Sequence, residues 1–361
     1  CYRAVLHRKR GFLLLDNAAD GRQVDPLLSP PAGWAVLVTS RRRFALPCAV
    51  DLDVLPQDQA VVLLRTILAE GGRQAGEEDL ARLADLCGCL PLALRLAGGY
   101  LTTYRDTSVA EYLHLLKRER LRYLADDRRS VQAALAVSVR RLDADDPTLA
   151  RRWRTLALFP APFDRAAAAA VWGQGDPAEG PDAWAPLPEG ETRAALQALV
   201  ARSLLSWDEA TGTYVLHDLL REFALQPGEG DAPPPADDSA ARARHAWHYL
   251  ARGAAADDAF LEGKERAVPA LRALEAAWPH LRAAWEWMRA RAGQRAADRW
   301  LDLFPGKMPC VLDLHLPPRE QIPLLQAAAE AARRLGDKGH EGIHLGNLGL
   351  AYHALGEVRE A

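Results

Sequence analysis

The sequence predicts a mostly α-helical, multidomain chain that opens with the remnant of a parallel α/β sheet. Two apolar runs, "FLLLD" and "WAVLVTS", lie near the start and are separated by a short amphipathic segment. Apolar runs that alternate with helices are typical of a parallel sheet buried on both faces. From about residue 56, apolar residues recur every three or four positions, which predicts helices. Among them, "LLSWDEATGTYVLHD" contains two short alternating runs around a glycine and predicts a β-hairpin.

Length and composition limit the classes of function. A chain of 361 residues is long enough for about two or three domains. The formal net charge of −3 excludes a global positive field that would hold nucleic acid. The five cysteines are too few and too scattered for a disulfide framework, which favours a reducing cytoplasm. No run of about 18 apolar residues predicts a membrane span, and the start "CYRAVLHRKR" suggests an internal fragment.

The order of patterns along the chain predicts six segments. A weaker third apolar run, "CAVDLDVL", follows the first two and would extend the sheet. The hairpin closes a group of helices, which suggests a winged helix, and "PGEGDAPPPADDSA" is too rich in proline and acid to pack and predicts a linker. The expected segments are the α/β remnant at 1–55, a helical arm at 56–127, the winged helix at 128–226, the linker at 227–239, a helical connector at 240–318 and helical repeats at 319–361.

Two charged residues follow the first two predicted strands. Asp16 ends the first apolar run, and Arg41 comes soon after the second. In parallel α/β sheets ligands bind at the carboxyl ends of strands, so both side chains are expected at one edge. A carboxylate there can hold Mg²⁺, and a guanidinium can bind a terminal phosphate. Each residue also has a plain structural interpretation, as a helix N-cap for Asp16 and as a solvated charge for Arg41.

Four motifs together resemble the NB-ARC module of the STAND class of signal-transduction ATPases. "LLLDN" resembles its Walker B strand, "VLVTSR" its sensor strand, "CGCLPLALRLAG" its Gly-x-Pro motif and "YVLHDLLREFA" its Met-His-Asp motif, with Leu216 in the methionine position. The motifs occur in the family's order from Gly11 to Ala224. The resemblance implies a P-loop-type sheet, ADP or ATP as the bound nucleotide, and Mg²⁺.

The same resemblance implies roles for individual residues. Arg41 would sense the γ-phosphate, with Thr39 beside it among the nucleotide-binding residues. Pro91 would pack on the adenine next to Leu92, since proline offers a rigid apolar face without an N–H. His217 would donate a ring N–H to the β-phosphate of ADP. Pro91 can equally occupy the first turn of a helix, and His217 can equally cap one.

The catalytic positions depart from the family pattern. Asp16 is expected to hold Mg²⁺ in the intact parent protein. Asn17 stands where many members have a second acid, and an amide cannot act as a base, so any hydrolysis should be slow. No G-x-x-x-x-G-K-[ST] loop occurs in the chain, and the phosphates need the backbone amides of that loop. Family order places the loop upstream of Cys1, so we expect this chain alone to bind nucleotide poorly and to be inactive.

The C-terminal part resembles tetratricopeptide repeats. "HLGNLGLAYHALGEVREA" has Leu348, Gly349, Tyr352, Gly356 and Ala361 at the offsets of such a repeat, and "IPLLQAAAEAARRLGDKG" resembles the second helix of a preceding one. The array is expected to continue past Ala361. Solenoids of this kind present extended concave surfaces, which suit a protein or peptide ligand.

"HEGIH", from His340 to His344, matches the zinc-peptidase pattern H-E-x-x-H. Two histidines one helical turn apart can bind zinc while the glutamate acts as a base. Gly342 and Gly346 are expected to weaken a helix here, and Asn347 stands where the extended pattern needs glycine. We therefore do not expect zinc catalysis.

These patterns favour a regulatory ATPase that switches between ADP and ATP states, senses a ligand through its repeats and forms a homo-oligomer on activation. One alternative is a transcription regulator whose winged helix binds DNA. Its recognition helix, near "ETRAALQALVARSL", carries only Arg193 and Arg202 as cations, and the preceding loop is acidic, so DNA binding is not expected. A second alternative is a repeat scaffold with a degenerate ATPase. A membrane partner is not expected.

Overall fold

The structure is a computed structural model that describes residues 2–40, 46, 48–50, 52–120, 129–225 and 239–356. These residues fall into two compact units, Cys1–Asp53 and Val54–Ala361. Most of the described residues are helical, and the strands form small two-stranded sheets. The mostly α-helical character expected from the sequence is therefore confirmed. The predicted linker lies almost entirely outside the described residues.

The first unit is built around two parallel strands. Its elements are α1 (Tyr2–Leu6), β1 (Gly11–Leu15), α2 (Gly21–Val24) and β2 (Trp34–Val38). Gly11 lies opposite Trp34 and Leu15 opposite Val38, so the two predicted apolar runs end side by side. The third run, "CAVDLDVL", forms no strand over the described residues 48–50 and 52–55. Two of its apolar side chains are solvated, Val50 at 85% and Leu52 at 95% exposure.

One face of the strand pair is open to solvent. Phe12, Leu14 and Leu37 alternate onto that face and are 58%, 53% and 50% exposed. The expectation of a sheet buried on both faces is therefore wrong for these residues. The physical reason is size: two strands with helices of five and four residues provide too little surface to cover both faces.

The second unit contains the remaining elements. Its helices and strands are α3 (Gln57–Glu70), α4 (Glu77–Leu86), α5 (Pro91–Thr103), α6 (Val109–Arg120), α7 (Arg129–Asp145), α8 (Pro147–Thr155), α9 (Arg165–Val171), β3 (Gln174–Gly175), β4 (Trp184–Ala185), α10 (Glu189–Ala201), β5 (Ser206–Asp208), β6 (Thr213–Val215), α11 (Asp218–Ala224), α12 (Ser239–Leu261), α13 (Ala267–Arg289), α14 (Arg295–Gly306), α15 (Pro309–His315), α16 (Pro318–Leu335) and α17 (Lys338–Ala354). A single apolar core runs through the unit, and its largest fully buried side chains include Trp153, Trp300, Tyr100, Tyr112 and Phe159.

Helix α5 packs closely because it contains two consecutive glycines. A Cβ at Gly98 would lie 2.6 Å from Ile67 Cγ2 on α3. A Cβ at Gly99 would lie 2.7 Å from Ser203 Oγ and 3.0 Å from the carbonyl carbon of Arg202, just after α10. Glycine is therefore required where this helix meets the backbone that leads to the hairpin.

The predicted hairpin is present. Strands β5 and β6 pair antiparallel, with Ser206 opposite Val215 and Asp208 opposite Thr213. Gly212 in the turn has a φ of +66°, a conformation that glycine adopts without strain. Strand β6 also pairs with the segment just before α9, where Phe163 exchanges backbone hydrogen bonds with Tyr214 at 3.0 and 2.7 Å.

Helices α16 and α17 form an antiparallel hairpin. Gly336 ends α16 with a φ of +79°, and Asp337 caps α17 by accepting the His340 N–H. The glycines predicted to weaken α17 do not interrupt it, because the cap and the packing against α16 stabilise the helix. Tyr352 accepts a hydrogen bond from Gln326 across the pair at 3.0 Å. No helix in the described ranges is both long and apolar enough to cross a bilayer.

Candidate functional site

Asp16 and Thr39 lie next to each other at the carboxyl edge of the first unit's sheet. Strands β1 and β2 end at Leu15 and Val38, and the ladder continues for one step beyond them. The Thr39 N–H donates to the Leu15 carbonyl at 2.9 Å, and the Ala18 N–H donates to the Thr39 carbonyl at 2.9 Å. The parallel register thus places both side chains at the position where α/β sheets bind ligands.

The Thr39 hydroxyl connects the two residues that the sequence predicts to be catalytic. It donates a hydrogen bond to the Asp16 carboxylate and accepts the Asn17 N–H at 2.9 Å. Asn17 has a φ of +54°, a left-handed conformation that asparagine tolerates better than most residues. The turn after β1 is therefore fixed by the residue that follows β2.

The Asp16 carboxylate is suited to bind a hard cation. Asp16 and Thr39 are both exposed, so a metal ion or its water can approach. An ionised carboxylate has acceptor capacity for about four hydrogen bonds, and the bond from Thr39 uses a small part of it. Oxygen donors of this kind fit Mg²⁺, which usually keeps several waters. Arg41, the predicted phosphate sensor, lies outside the described residues.

Pro91 is the first residue of α5, with Leu90 as the N-cap. The chain reaches it through two consecutive left-handed residues, Gly88 at φ +61° and Cys89 at φ +52°. The Cys89 carbonyl accepts a hydrogen bond from the Leu55 N–H at 3.0 Å. Pro91 thus occupies the first helical turn, and its ring is exposed and free of any backbone donor.

Leu92 follows Pro91 and is half-buried. It packs against the core of the second unit together with other partly buried residues. The structure therefore gives Leu92 a packing role that the sequence did not distinguish from nucleotide binding.

His217 is the N-cap of α11. Its Nδ1 accepts the Leu219 N–H at 3.2 Å, so in the neutral ring the proton is on Nε2. The residue is exposed. Since the cap uses one ring nitrogen and leaves the other as a donor, the helix cap and a phosphate contact are compatible.

The predicted site residues therefore form two groups. Asp16, Asn17 and Thr39 are hydrogen-bonded to one another in the first unit. Pro91 and His217 lie in the second unit, each at the start of a helix.

A further cluster of polar side chains was not predicted. Asp302 on α14 contacts both histidines of the H-E-x-x-H segment on α17. One carboxylate oxygen lies 2.8 Å from His340 Nδ1, and the other lies 2.9 Å from His344 Nε2. The histidine spacing was visible in the sequence. The aspartate, 38 residues upstream of His340, had no sequence signal that linked it to them.

The chain is similar in sequence to two curated regulatory proteins. It is 36% identical over 263 residues to Regulatory protein AfsR of Streptomyces coelicolor, a match that covers 70% of this chain and 25% of that protein. It is 35% identical over 260 residues to Regulatory protein AfsR of Streptomyces griseus, again over 70% of this chain and 25% of the relative. The chain therefore spans about a quarter of the length of these relatives. No family model matches the chain.

Among solved structures, the chain is similar to a STAND protein with a tetratricopeptide repeat sensor from Pyrococcus horikoshii. The match covers 96% of this chain and 50% of that chain, at 14% identity and a TM-score of 0.42. A TM-score of that size does not establish a shared fold. What the comparisons establish is similarity to regulatory proteins over most of the chain.

Proposed function

We propose that this chain is part of a STAND-type regulatory ATPase, a switch that changes state with the bound adenine nucleotide. The observation that carries the proposal is the hydrogen bond between Thr39 and Asp16 at the carboxyl edge of a parallel strand pair. An exposed carboxylate oriented by a neighbouring hydroxyl is suited to hold Mg²⁺ beside a nucleotide's phosphates.

In this proposal each residue has a separate task. Asp16 holds the metal directly or through water, and Thr39 orients the carboxylate. Bound Mg²⁺ supplies charge neutralisation at the phosphates. Asn17 has no basic group to deprotonate a water, so turnover is slow. Arg41 contacts the γ-phosphate of ATP.

The state of the switch is set by contacts made on the second unit. In the ADP state His217 donates its Nε2 proton to the β-phosphate, and Pro91 packs on the base. The nucleotide state is thereby coupled to the conformation of the second unit. A ligand that favours the ATP state releases this coupling and permits homo-oligomer assembly.

The proposed sensor is the helical region that ends in α16 and α17. The pair has the antiparallel arrangement of a helical repeat, with Gly336 in the turn and Tyr352 bonded across it. On α17, Ile343 and Leu350 are 58% and 70% exposed. These features suit a solenoid that binds a protein or peptide, and the similarity to regulatory proteins is consistent with such a role.

The charges around α10 disfavour DNA binding by the helices and hairpin of 128–226. Arg193 is an exposed cation on this helix, but Glu189 and Glu191 are exposed at its start. The Arg202 guanidinium is engaged within the protein, where it donates to Tyr104 Oη at 3.2 Å and to a backbone carbonyl of α10 at 2.9 Å. Phosphate binding needs several free cations on one face.

The test uses the protein expressed with the sequence upstream of Cys1, where the family's phosphate loop would lie. The nucleotide that co-purifies is identified by chromatography after denaturation, for the wild type and for Asp16→Asn, Arg41→Ala and Asp20→Asn. Asp20 caps α2 by accepting the Gln23 N–H, and asparagine caps equally well, so this variant is a matched control.

We expect Asp16→Asn to weaken Mg²⁺-dependent ATP retention by about tenfold or more, the loss of a charged ligand being worth at least about 1.4 kcal/mol. Arg41→Ala should reduce ATP and spare ADP, because only the triphosphate reaches that guanidinium. Asp20→Asn should match the wild type. Equal nucleotide in Asp16→Asn and wild type would favour a repeat scaffold with a degenerate ATPase.

A further inference from the structure

Helix α14 carries two buried carboxylates one turn apart. Asp298 is 2% exposed and Asp302 is 5% exposed, and both face the α16–α17 hairpin. Burial of an ionised carboxylate is costly unless it is paired with a cation or with hydrogen-bond donors. The hydrogen-bond and ion-pair partners of each carboxylate indicate what this interface can bind.

Asp298 is satisfied by an ordinary ion pair. The Arg334 guanidinium of α16 donates to both carboxylate oxygens at distances of 2.8 to 3.0 Å, and the Gly293 N–H donates at 3.0 Å. This aspartate therefore has a protein cation and a backbone donor, and its role is structural.

Asp302 contacts the imidazole rings of two histidines. His340 Nδ1 lies 2.8 Å from one carboxylate oxygen and His344 Nε2 lies 2.9 Å from the other. The histidines are one helical turn apart on α17, so both rings project from the same face of the helix toward α14. One donor atom from each of the three side chains can be chosen so that all lie within 4.8 Å of one another.

The two histidine–carboxylate distances are close to those of a metal-bound set. Zinc binds imidazole nitrogen and carboxylate oxygen at about 2.0 to 2.2 Å, so tetrahedral ligand atoms lie about 3.3 to 3.5 Å apart. The two histidine–carboxylate separations would need to open by about 0.5 Å, and the widest separation in the set, up to 4.8 Å, would need to close by about 1.3 Å to reach the tetrahedral spacing. Two neutral imidazoles and one carboxylate are a donor set that suits zinc and its neighbours in the first transition row.

Solvent access also favours an ion here. The His340 side chain is 44% exposed while those of Asp302 and His344 are 6% and 4% exposed, so the cluster is closed on the protein side and open at His340. His344 Nδ1 is buried with no hydrogen-bond partner among the described residues. Nε2, which faces Asp302, is therefore the ring nitrogen of His344 that an ion can reach.

We infer that Asp302, His340 and His344 bind one divalent transition-metal ion, with zinc as the best fit, and that the ion holds the α16–α17 hairpin on α14. Water completes the coordination on the open side. The site is structural: Glu341, the base in H-E-x-x-H peptidases, is ion-paired with Arg333 at 2.7 Å. This inference is independent of the proposed nucleotide switch.

The experiment measures zinc binding to the 361-residue chain after chelator treatment, by equilibrium dialysis with metal analysis. Variants His340→Gln and Asp302→Asn remove ligands. His353→Gln is the matched control, since His353 is exposed on the same helix outside the cluster. Because cysteine thiols such as that of the exposed Cys48 can also bind zinc, cobalt(II) is used as a second probe, whose visible spectrum distinguishes nitrogen and oxygen ligands from thiolate.

We expect the wild type and His353→Gln to bind one zinc ion per chain at about 1 µM free zinc or below, with a cobalt spectrum free of thiolate bands. His340→Gln should weaken binding by about a hundredfold or more, beyond the effect of losing an outer-shell partner. Circular dichroism checks that His340→Gln stays folded, as expected for a substitution at a half-exposed side chain. Equal binding by His340→Gln and wild type, a thiolate spectrum, or no binding would overturn the inference and leave the cluster as a hydrogen-bonded clasp.

Discussion

The Thr39 hydroxyl bonds at once to the Asp16 side chain and to the backbone of the next residue. It donates to the Asp16 carboxylate and accepts the Asn17 N–H at 2.9 Å. The Thr39 side chain, which follows β2, therefore orients the proposed metal ligand Asp16. It also stabilises the left-handed turn at Asn17, which follows β1. The contact can be tested without any nucleotide.

Replacement of Thr39 by valine should free the Asn17 amide. Valine keeps the shape but has no acceptor, whereas Thr39→Ser keeps the hydroxyl. A hydrogen bond of this kind contributes about 1 to 1.5 kcal/mol, so amide exchange at Asn17 should accelerate about tenfold in Thr39→Val. The Ala18 N–H, which donates to the Thr39 carbonyl, should stay protected as an internal control. Equal exchange at Asn17 in the two variants would contradict the proposed role of the hydroxyl.

Gly99 should be intolerant of even one added methyl group. A Cβ there would meet backbone and side-chain atoms of Arg202 and Ser203 at 2.7 to 3.1 Å, and backbone cannot move aside cheaply. Gly99→Ala should therefore lower the free energy of unfolding by about 1 to 3 kcal/mol. Gly346→Ala is the control with the opposite expected sign. No atom lies within 4 Å of the Cβ position of Gly346 in the middle of α17. This variant should therefore raise the free energy of unfolding by about 0.5 to 1 kcal/mol. Urea unfolding would measure the free energy of unfolding of both variants. If Gly99→Ala and Gly346→Ala were destabilised equally, the packing argument would be refuted.

A group of histidines on α12 and α13 should make the protein less stable in mild acid. Burial, reinforced by Arg252, lowers the pKa of His248 to about 4. Burial likewise lowers the pKa of His280 to about 4 and holds the pKa of His245 well below its usual value. In the unfolded chain these rings titrate near pH 6.5. Between the two values the unfolded state binds more protons, so the free energy of unfolding falls as the pH falls through this window.

The measurement is urea unfolding at about pH 7.5 and about pH 5.5. Between these two pH values, each such histidine should lower the free energy of unfolding by about 1 kcal/mol. His248→Gln should lose less stability than the wild type over this interval by about that amount. His114→Gln, at an exposed position on α6, should keep the wild-type difference. A His248→Gln variant with an unchanged pH dependence would show that this ring does not titrate as expected.

The predictable parts of the structure are those that depend on neighbours in sequence. The runs that became β1 and β2, the hairpin around Gly212 and the helix that starts at Pro91 all follow from local patterns. The position of Asp16 beside Thr39 could also be anticipated, since the carboxyl ends of parallel strands meet at one edge.

The parts that could not be predicted depend on distant contacts. Gly342 and Gly346 indicate a weak helix, yet α17 is continuous because tertiary packing overrides propensity. Asp302 gives no sign in the sequence that it will meet His340, because the pairing depends on how α14 crosses the α16–α17 hairpin. H-E-x-x-H therefore looked like an incomplete peptidase motif until the structure supplied a third donor from another helix.

His217 offers the sharpest test of the proposed switch, because its two ring nitrogens have separate tasks. Nδ1 caps α11, and Nε2 is the proposed donor to ADP. Asparagine replaces the cap but not the distal ring donor, whereas alanine replaces neither. In the protein expressed with its upstream sequence, His217→Ala should lose about 0.5 to 2 kcal/mol of stability, and His217→Asn should stay near the wild type.

Retention of ADP should follow a different order from stability. A charge-assisted hydrogen bond to phosphate contributes about 1.5 to 3 kcal/mol, so both His217→Asn and His217→Ala should retain ADP about ten- to a hundredfold less tightly. The readout is the ADP left after equal dilution, set beside the unfolding midpoint of each variant. If His217→Asn retains as much ADP as the wild type, the histidine is only a helix cap. The proposed ADP contact would then need another donor.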